Sequence, residues 1–325
     1  MNLFAMTTRG RPLVGAALYS LLLPGCFTAQ LDPALPGVFA CTQRDDDCPS
    51  GLRCVNRLCE DEDAVPSLAV TNPEDEQLFI TDAPDGPLGP PAAPLMLEVL
   101  VTGDLTLVSA NSGADHEFGE GHVIVTVDGQ QAALIDSGSI ETPRPVMVEV
   151  DNVPGPHRIT TRAIRNDGVP YDNDEAVGAR LFWIESELAL GMRPFVAVKT
   201  PWPGSTFPLS DAPVEVEIAT LNFDMLPPGQ GRSEGQGHAH VYYDTRIGEC
   251  VDDPACDGTY LAVVGNPPVT TFELPQSGAR SVELGVALRH VGHDLYRIPF
   301  DCDPIIDLDL CRPVVESITI NRADD

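Results

Sequence analysis

Four of the seven histidines stand close together in the C-terminal part of the chain: His238 and His240 in "GQGHAHVYYD" (Gly235–Asp244), and His290 and His293 in "HVGH". An extended backbone turns alternate residues to the same side. His238, His240, Tyr242 and Asp244 would then share one face of a strand, with Ala239, Val241 and Tyr243 on the other. Two imidazoles at this spacing can chelate zinc or copper. If "HVGH" forms a strand end or loop beside that strand, His290 and His293 would bring three or four nitrogens together. Tyr242 or Asp244 would complete or orient the set. The competing expectation is structural: imidazoles commonly satisfy backbone groups, and these four would then never meet.

Other patterns that could do chemistry are weaker. "HEFGEGH" (His116–His122) brings to mind the zinc-protease spacing H-E-x-x-H, but its second histidine comes two residues late and its glycines oppose the required helix. Asp301, Asp303, Asp307 and Asp309 in "DCDPIIDLDLC", and the carboxylates of "YDNDEA" from Tyr171, could attract calcium. Neither stretch has the glycine and terminal glutamate of an EF-hand loop, so solvated acidic loops are the expectation. There is no G-x-S-x-G, no phosphate-binding glycine loop followed by lysine, and no dinucleotide fingerprint. Nothing positive supports an enzyme. With 19 basic against 49 acidic residues and a formal charge of −30, nucleic acid is excluded as an expected partner, because phosphate binding needs clustered Lys and Arg.

The elements that would position the histidines are strands. Aromatics are few, while 31 prolines and 28 glycines break the chain into short runs. Beyond residue 65 the chain repeats itself. "PSLAVTNP" from Pro66 matches "PFVAVKTP" from Pro194, and "APLMLEV" from Ala93 matches "APVEVEI" from Ala212. "GEGHVIVTVD" from Gly119 matches "GQGHAHVYYD", and "AIRNDG" from Ala163 matches "ALRHVG" from Ala287. Within each unit Leu95, Leu97 and Val99, or Val214, Val216 and Ile218, alternate with Met96 and Glu98, or Glu215 and Glu217, the period of a half-buried strand. Val123, Val125 and Val127 lead into Asp128-Gly129, a hairpin signal. The expected fold is all-β: two tandem immunoglobulin-like β-sandwich domains, residues 65–188 and 193–325, after a small disulfide-rich module at 41–60. Residues 185–193 would be a linker or a last strand running on. Both units keep Gly-x-Gly-His and the aspartate, which suits a role in the fold; His240, His290 and His293 belong to the second unit alone.

The N-terminus carries export information. "TTRGRPLVGAALYSLLLPGC" has two arginines, then an apolar run too short to span a bilayer as a mature helix, then Leu23-Pro24-Gly25-Cys26. The tail resembles the lipobox of bacterial lipoproteins. That resemblance implies removal of residues 1–25, lipid on Cys26, a tether over 26–40, and an exported protein held at the outer membrane or cell surface. An ordinary signal-peptidase cut is the alternative, and bulky Phe27 before Ala29 suits it poorly. The cysteine count agrees: with Cys26 set aside, Cys41, Cys48, Cys54, Cys59, Cys250, Cys256, Cys302 and Cys311 remain, an even set for disulfides in an oxidising compartment. The first four lie within nineteen residues, spaced C-x6-C-x5-C-x4-C, which lacks the paired knuckles of most zinc sites. Their D-x-D-C-P-x-G-x-x-C look resembles small disulfide modules of bacterial surface proteins; the spacing leaves three pairings open.

The G-x-G-H-x-H-x-x-x-D pattern, with "PGPH" and His157 later in the first unit, resembles secreted bacterial β-sandwich domains of unknown function. It implies a fold and an exported location and no activity. The expected function is a lipid-anchored cell-surface protein with a non-catalytic binding or structural role toward a surface or extracellular ligand. The alternative is a zinc- or copper-binding protein using His238, His240, His290 and His293; calcium suits the chain less well.

Overall fold

A computed structural model of the chain describes residues 40–41, 45–82, 93–110, 117–207, 213–230, 233–244, 247, 260–274, 280–290, 292–299 and 311–322. Cys26, Cys250, Cys256, Cys302, His116 and the aspartates between 301 and 309 lie outside these residues.

The cysteine module is a hairpin of β1 (Leu52–Val55) and β2 (Leu58–Asp61). So short a segment has too little interior to hold itself together, and two disulfides, Cys41–Cys54 and Cys48–Cys59, cross-link it. It also packs on the domain that follows. Val55 is part of that domain's core, Arg53 pairs with Glu175 at 2.8 Å, and Asn56 bonds to Asp172 and Pro170.

The first sandwich opposes two sheets. One contains β3 (Ser67–Asn72), β5 (Leu95–Asp104) and β9 (Arg144–Val150). The other contains β4 (Gln77–Thr81), β6 (Thr106–Leu107), β7 (Glu120–Val127), β8 (Gln130–Ile135), β10 (Gly155–Ile164) and β11 (Val177–Ser186). Leu97 and Val99 on β5, and Val123, Val125 and Val127 on β7, are buried between the sheets, while Met96 and Glu98 face out. The β7–β8 hairpin turns at Asp128 and Gly129, both at positive φ (48° and 78°), the arrangement of a type I′ turn.

The second sandwich repeats this plan strand for strand. Its sheets are β12 (Phe195–Thr200), β14 (Pro213–Leu221) and β18 (Val269–Glu273) against β13 (Thr206–Phe207), β15 (Asp224–Met225), β16 (Gln236–Tyr243), β17 (Ala262–Val264), β19 (Ser281–Arg289) and β22 (Val315–Arg322). A small pair, β20 (Arg297–Ile298) and β21 (Arg312–Pro313), is added. In both sandwiches a short early strand pairs parallel with the last one, β4 with β11 and β13 with β22. Each sandwich has its own apolar core. The fold is thus two tandem immunoglobulin-like β-sandwiches behind a disulfide module. Among the described residues no helix is long and apolar enough to cross a membrane.

Strand pairing corrects one detail of the internal alignment. Ala163 lies opposite Val123, and Leu288 lies opposite Ala239. Ala163 therefore corresponds to Leu288, one residue on from the Ala287 that the sequence match suggests. His293 then falls where the first sandwich has Gly168.

The sandwiches are joined through the outer faces of their edge-to-centre strands rather than through a loose connector. β11 ends at Ser186 in a 3-10 turn, Glu187–Ala189, capped by the Ser186 side chain. Leu181 and Trp183 then pack on Phe195, Ala197 and Ala219 in a separate apolar cluster. Arg158 on β10 grips Glu316 on β22 with both guanidinium nitrogens, and Glu316 also accepts the Val198 N–H at 2.7 Å. Lys199, the only lysine in the chain, lies within 3.1 Å of Asp75, Glu76 and Glu217.

A candidate metal centre on the second sandwich

β16 presents two different faces. Ala239, Val241 and Tyr243 join the core, and His238, His240 and Tyr242 line the opposite face. That face is also buried: His238 is 0% exposed and His240 2%. Tyr242 packs there with Ile247 and Ala287, and the Tyr260 ring lies 4.1 Å from that of His240, centroid to centroid.

The two glycines before His238 explain how the strand enters. Gly235 is at φ +72°, which L side chains rarely adopt. A Cβ on Gly237 would collide with the Arg289 carbonyl oxygen. Gly119 and Gly121 play the same two parts in the first sandwich, against the Ile164 carbonyl. Gly-x-Gly is therefore fold machinery, as its presence in both units suggested.

Beyond β19 the chain makes a tight turn. The His290 N–H bonds to the Asp294 carbonyl and the His293 N–H to the His290 carbonyl, at 2.8 and 2.9 Å. The turn carries His293 back over the histidine face of β16. Three nitrogens meet there. His238 Nε2 and His240 Nε2 are 3.2 Å apart, His240 Nε2 and His293 Nδ1 3.0 Å, and all three lie within 4.8 Å of one another. His290, the fourth candidate, stands outside this set, its ring against Tyr296 with centroids 4.7 Å apart. Asp244 is in the turn after the strand, at φ +52°.

His293 is at φ +67°. Its counterpart Gly168 is at +83°, in the same turn, with its N–H bonded to the Arg165 carbonyl. A side chain at that position costs about 1 kcal/mol or more relative to glycine. The other counterparts are His122 for His238 and Ile124 for His240. The first sandwich thus keeps one of the three histidines, and its glycine keeps the turn unstrained.

The electrostatics favour neutral imidazoles. Burial, followed by the neighbouring His293 and Arg289 charges, pushes His238 down to about 4. Burial, with Arg289 next, pushes His240 down to about 3. The neutral ring is the form that binds metal. Arg289 and Tyr260 are contributors that sequence reasoning missed. The Arg289 guanidinium donates to the Tyr242 hydroxyl at 2.6 Å and to the His293 carbonyl at 3.0 Å, fixing the turn over the strand. The sequence match sets that arginine beside Arg165 of "AIRNDG", whereas strand pairing puts Ile164 in its place, so Arg289 belongs to the second sandwich alone. Among the described residues, Nδ1 of His238 and of His240 has no hydrogen-bond partner, so packing rather than outer hydrogen bonds orients these rings.

Among the described cysteines, the four of the module are paired as above, and Cys311 is buried and disulfide-bonded. A zinc site built from the module cysteines has no free thiolates to use.

No protein-family model and no curated protein sequence matches the chain. Among solved structures it is similar to the fibronectin(III)-like modules of CbhA from Clostridium thermocellum, at 9% identity over 78% of this chain and 93% of that one, with a TM-score of 0.24. It is also similar to the central fibronectin-III array of RIM-binding protein, at 12% identity over 74% and 73%, with a TM-score of 0.19. SGBP-B of the Bacteroides ovatus mixed-linkage glucan utilization locus, in complex with a mixed-linkage heptasaccharide, matches at 10% identity over 80% of this chain and 48% of that one, with a TM-score of 0.20. These likenesses say nothing about a ligand for this chain.

Proposed function

We propose that this protein is an exported, lipid-anchored, non-catalytic binding protein whose second sandwich holds one transition-metal ion of the zinc or copper class through His238, His240 and His293. The observation that carries the reading is the convergence of three imidazole nitrogens within 4.8 Å, two of them on buried rings. A zinc–nitrogen bond of about 2.0 Å places tetrahedral ligand nitrogens about 3.3 Å apart. The spacings of 3.2 and 3.0 Å are close to that edge. The anchor and the outer-membrane or surface location rest on Leu23-Pro24-Gly25-Cys26 and on the disulfide chemistry.

The test is a zinc and copper titration of the full chain beside His293→Gly. That variant removes a ligand while installing the residue its twin domain uses, so the fold should persist. One metal per chain, bound at least about 100-fold more weakly in the variant, is the expected result, because a direct ligand should exceed the worth of an outer partner. Equal affinities in the two proteins would refute the site.

A second reading is favoured by the joint between the sandwiches. Arg158, Glu316 and Lys199 lock two domains into a fixed pair, which suits a rod that holds end loops away from a membrane. The two readings are compatible.

A further inference from the structure

The turn that carries His293 is held in two places, and only one of them is common to both sandwiches. At its base Arg289 pairs with Leu295 across the turn, as Ile164 pairs with Pro170 in the first sandwich, and the two backbone hydrogen bonds within the turn match between the copies. At its tip the second sandwich adds a side-chain tie. The buried Arg289 guanidinium donates to the His293 carbonyl at 3.0 Å and to the Tyr242 hydroxyl at 2.6 Å, which links the tip to the far part of β16. Strand pairing puts Ile164 and Thr126 of the first sandwich at the places of Arg289 and Tyr242, and Ile164 has no side-chain donor for such a tie.

The tie matters because the atom of His293 that faces the other two rings is Nδ1. That nitrogen is one bond nearer the main chain than Nε2, so a shift of the backbone carries it along with little side chain left to compensate. His293 is also exposed and at φ +67°. An untethered tip would sample other conformations, and the cost of ordering it would then fall on metal binding.

We propose that Arg289 and Tyr242 are positioning residues of the metal centre, which act on the ion by holding His293 in place. This role rests on the metal-binding reading above. It accounts for four differences between the copies together: His240 and His293 supply nitrogens, and Arg289 and Tyr242 set the second of these over the first.

The experiment is zinc titration of the full chain as wild type, Arg289→Lys, Tyr242→Phe and His293→Gly, with each of the first two variants also made on the His293→Gly background. Both keep the positive charge beside the ion. Lysine lacks the fork that spans two partners, and phenylalanine keeps the packed ring without its hydroxyl; if Arg289→Lys does not fold, Tyr242→Phe decides. Each should bind zinc about 10-fold more weakly or worse, the lower end of what an outer partner is worth. On the His293→Gly background neither should weaken binding further, because the group they position is gone. Losses that recur in full on that background would overturn the role, since a general loosening of the fold acts whether or not His293 is present. Wild-type affinity in both single variants, with His293→Gly still weakened, would overturn it and leave the metal reading intact. No zinc bound by the wild-type chain, or binding unchanged in His293→Gly, would overturn both together.

Discussion

At the scale of single residues, histidine does two unrelated jobs in the two sandwiches. His157 in the first is a structural ion. Its Nδ1 faces the Asp128 carboxylate and its Nε2 the Val153 carbonyl, both at 2.7 Å, with its ring stacked on Phe182. Two acceptors on one ring call for a proton on each nitrogen. Burial alone would depress the pKa, but the Asp128 hydrogen bond and charge, with the Val153 carbonyl, outweigh it and hold His157 above its ordinary value. A group whose folded pKa is raised stabilises fully below its unfolded pKa, about 6.5 for histidine, and loses that contribution as pH climbs through the folded value. The protein should therefore lose stability in urea melts as pH rises above about 6.5, and His157→Gln should flatten that slope. A slope unchanged in the variant would remove His157 from the account. The three converging histidines were only half legible. Period two places His238 and His240 together on one face, and that needs no more than an extended backbone. Choosing His293 over His290 depends on a tight turn with φ +67° and on a one-residue shift of register, which spacing alone does not encode.

Between elements, the joint at β11 and β12 was the hardest feature to read. The alternation that reveals β5 and β14 disappears where a strand is buried on both faces. From Leu181 to Ser186 every residue of β11 is buried, one face in its own core and the other against Phe195 and Ala197. The stretch 185–193 consequently reads as a linker or a continuing strand; β11 does run on to Ser186, a capped turn follows, and its Gly191 N–H and the Asn222 side chain after β14 both donate to the buried Glu185. Arg158 and Glu316 lie 158 positions apart, each with a side chain only 12% exposed. Removing one partner of such a pair strands the other charge. Arg158→Met should cost about 3 kcal/mol in urea denaturation, and adding Glu316→Leu should recover part of it, the Val198 N–H then losing its acceptor. A single-variant loss within about 0.5 kcal/mol, the range of ordinary surface changes, would mean the pair does not hold the joint.

Over the whole molecule, duplication is what made the fold legible. Matching anchors in a fixed order imply two copies of one plan, and the strand pairings of the copies agree down to the parallel β4–β11 and β13–β22 edges. Duplication also supplies an internal comparison. What both copies keep, Gly-x-Gly and the turn aspartates at φ +48° and +52°, serves the backbone. What the second copy alone adds, His240 and His293, converges on His238 at one point. One copy thus carries the proposed metal centre on a scaffold that both copies share. X-ray absorption at the zinc edge of the zinc-loaded full chain tests it most directly. One zinc per chain is expected, with a first shell of nitrogen or oxygen at about 2.0 Å and the scattering signature of three imidazoles. A shell containing sulfur at about 2.3 Å, or one without imidazole, would contradict it.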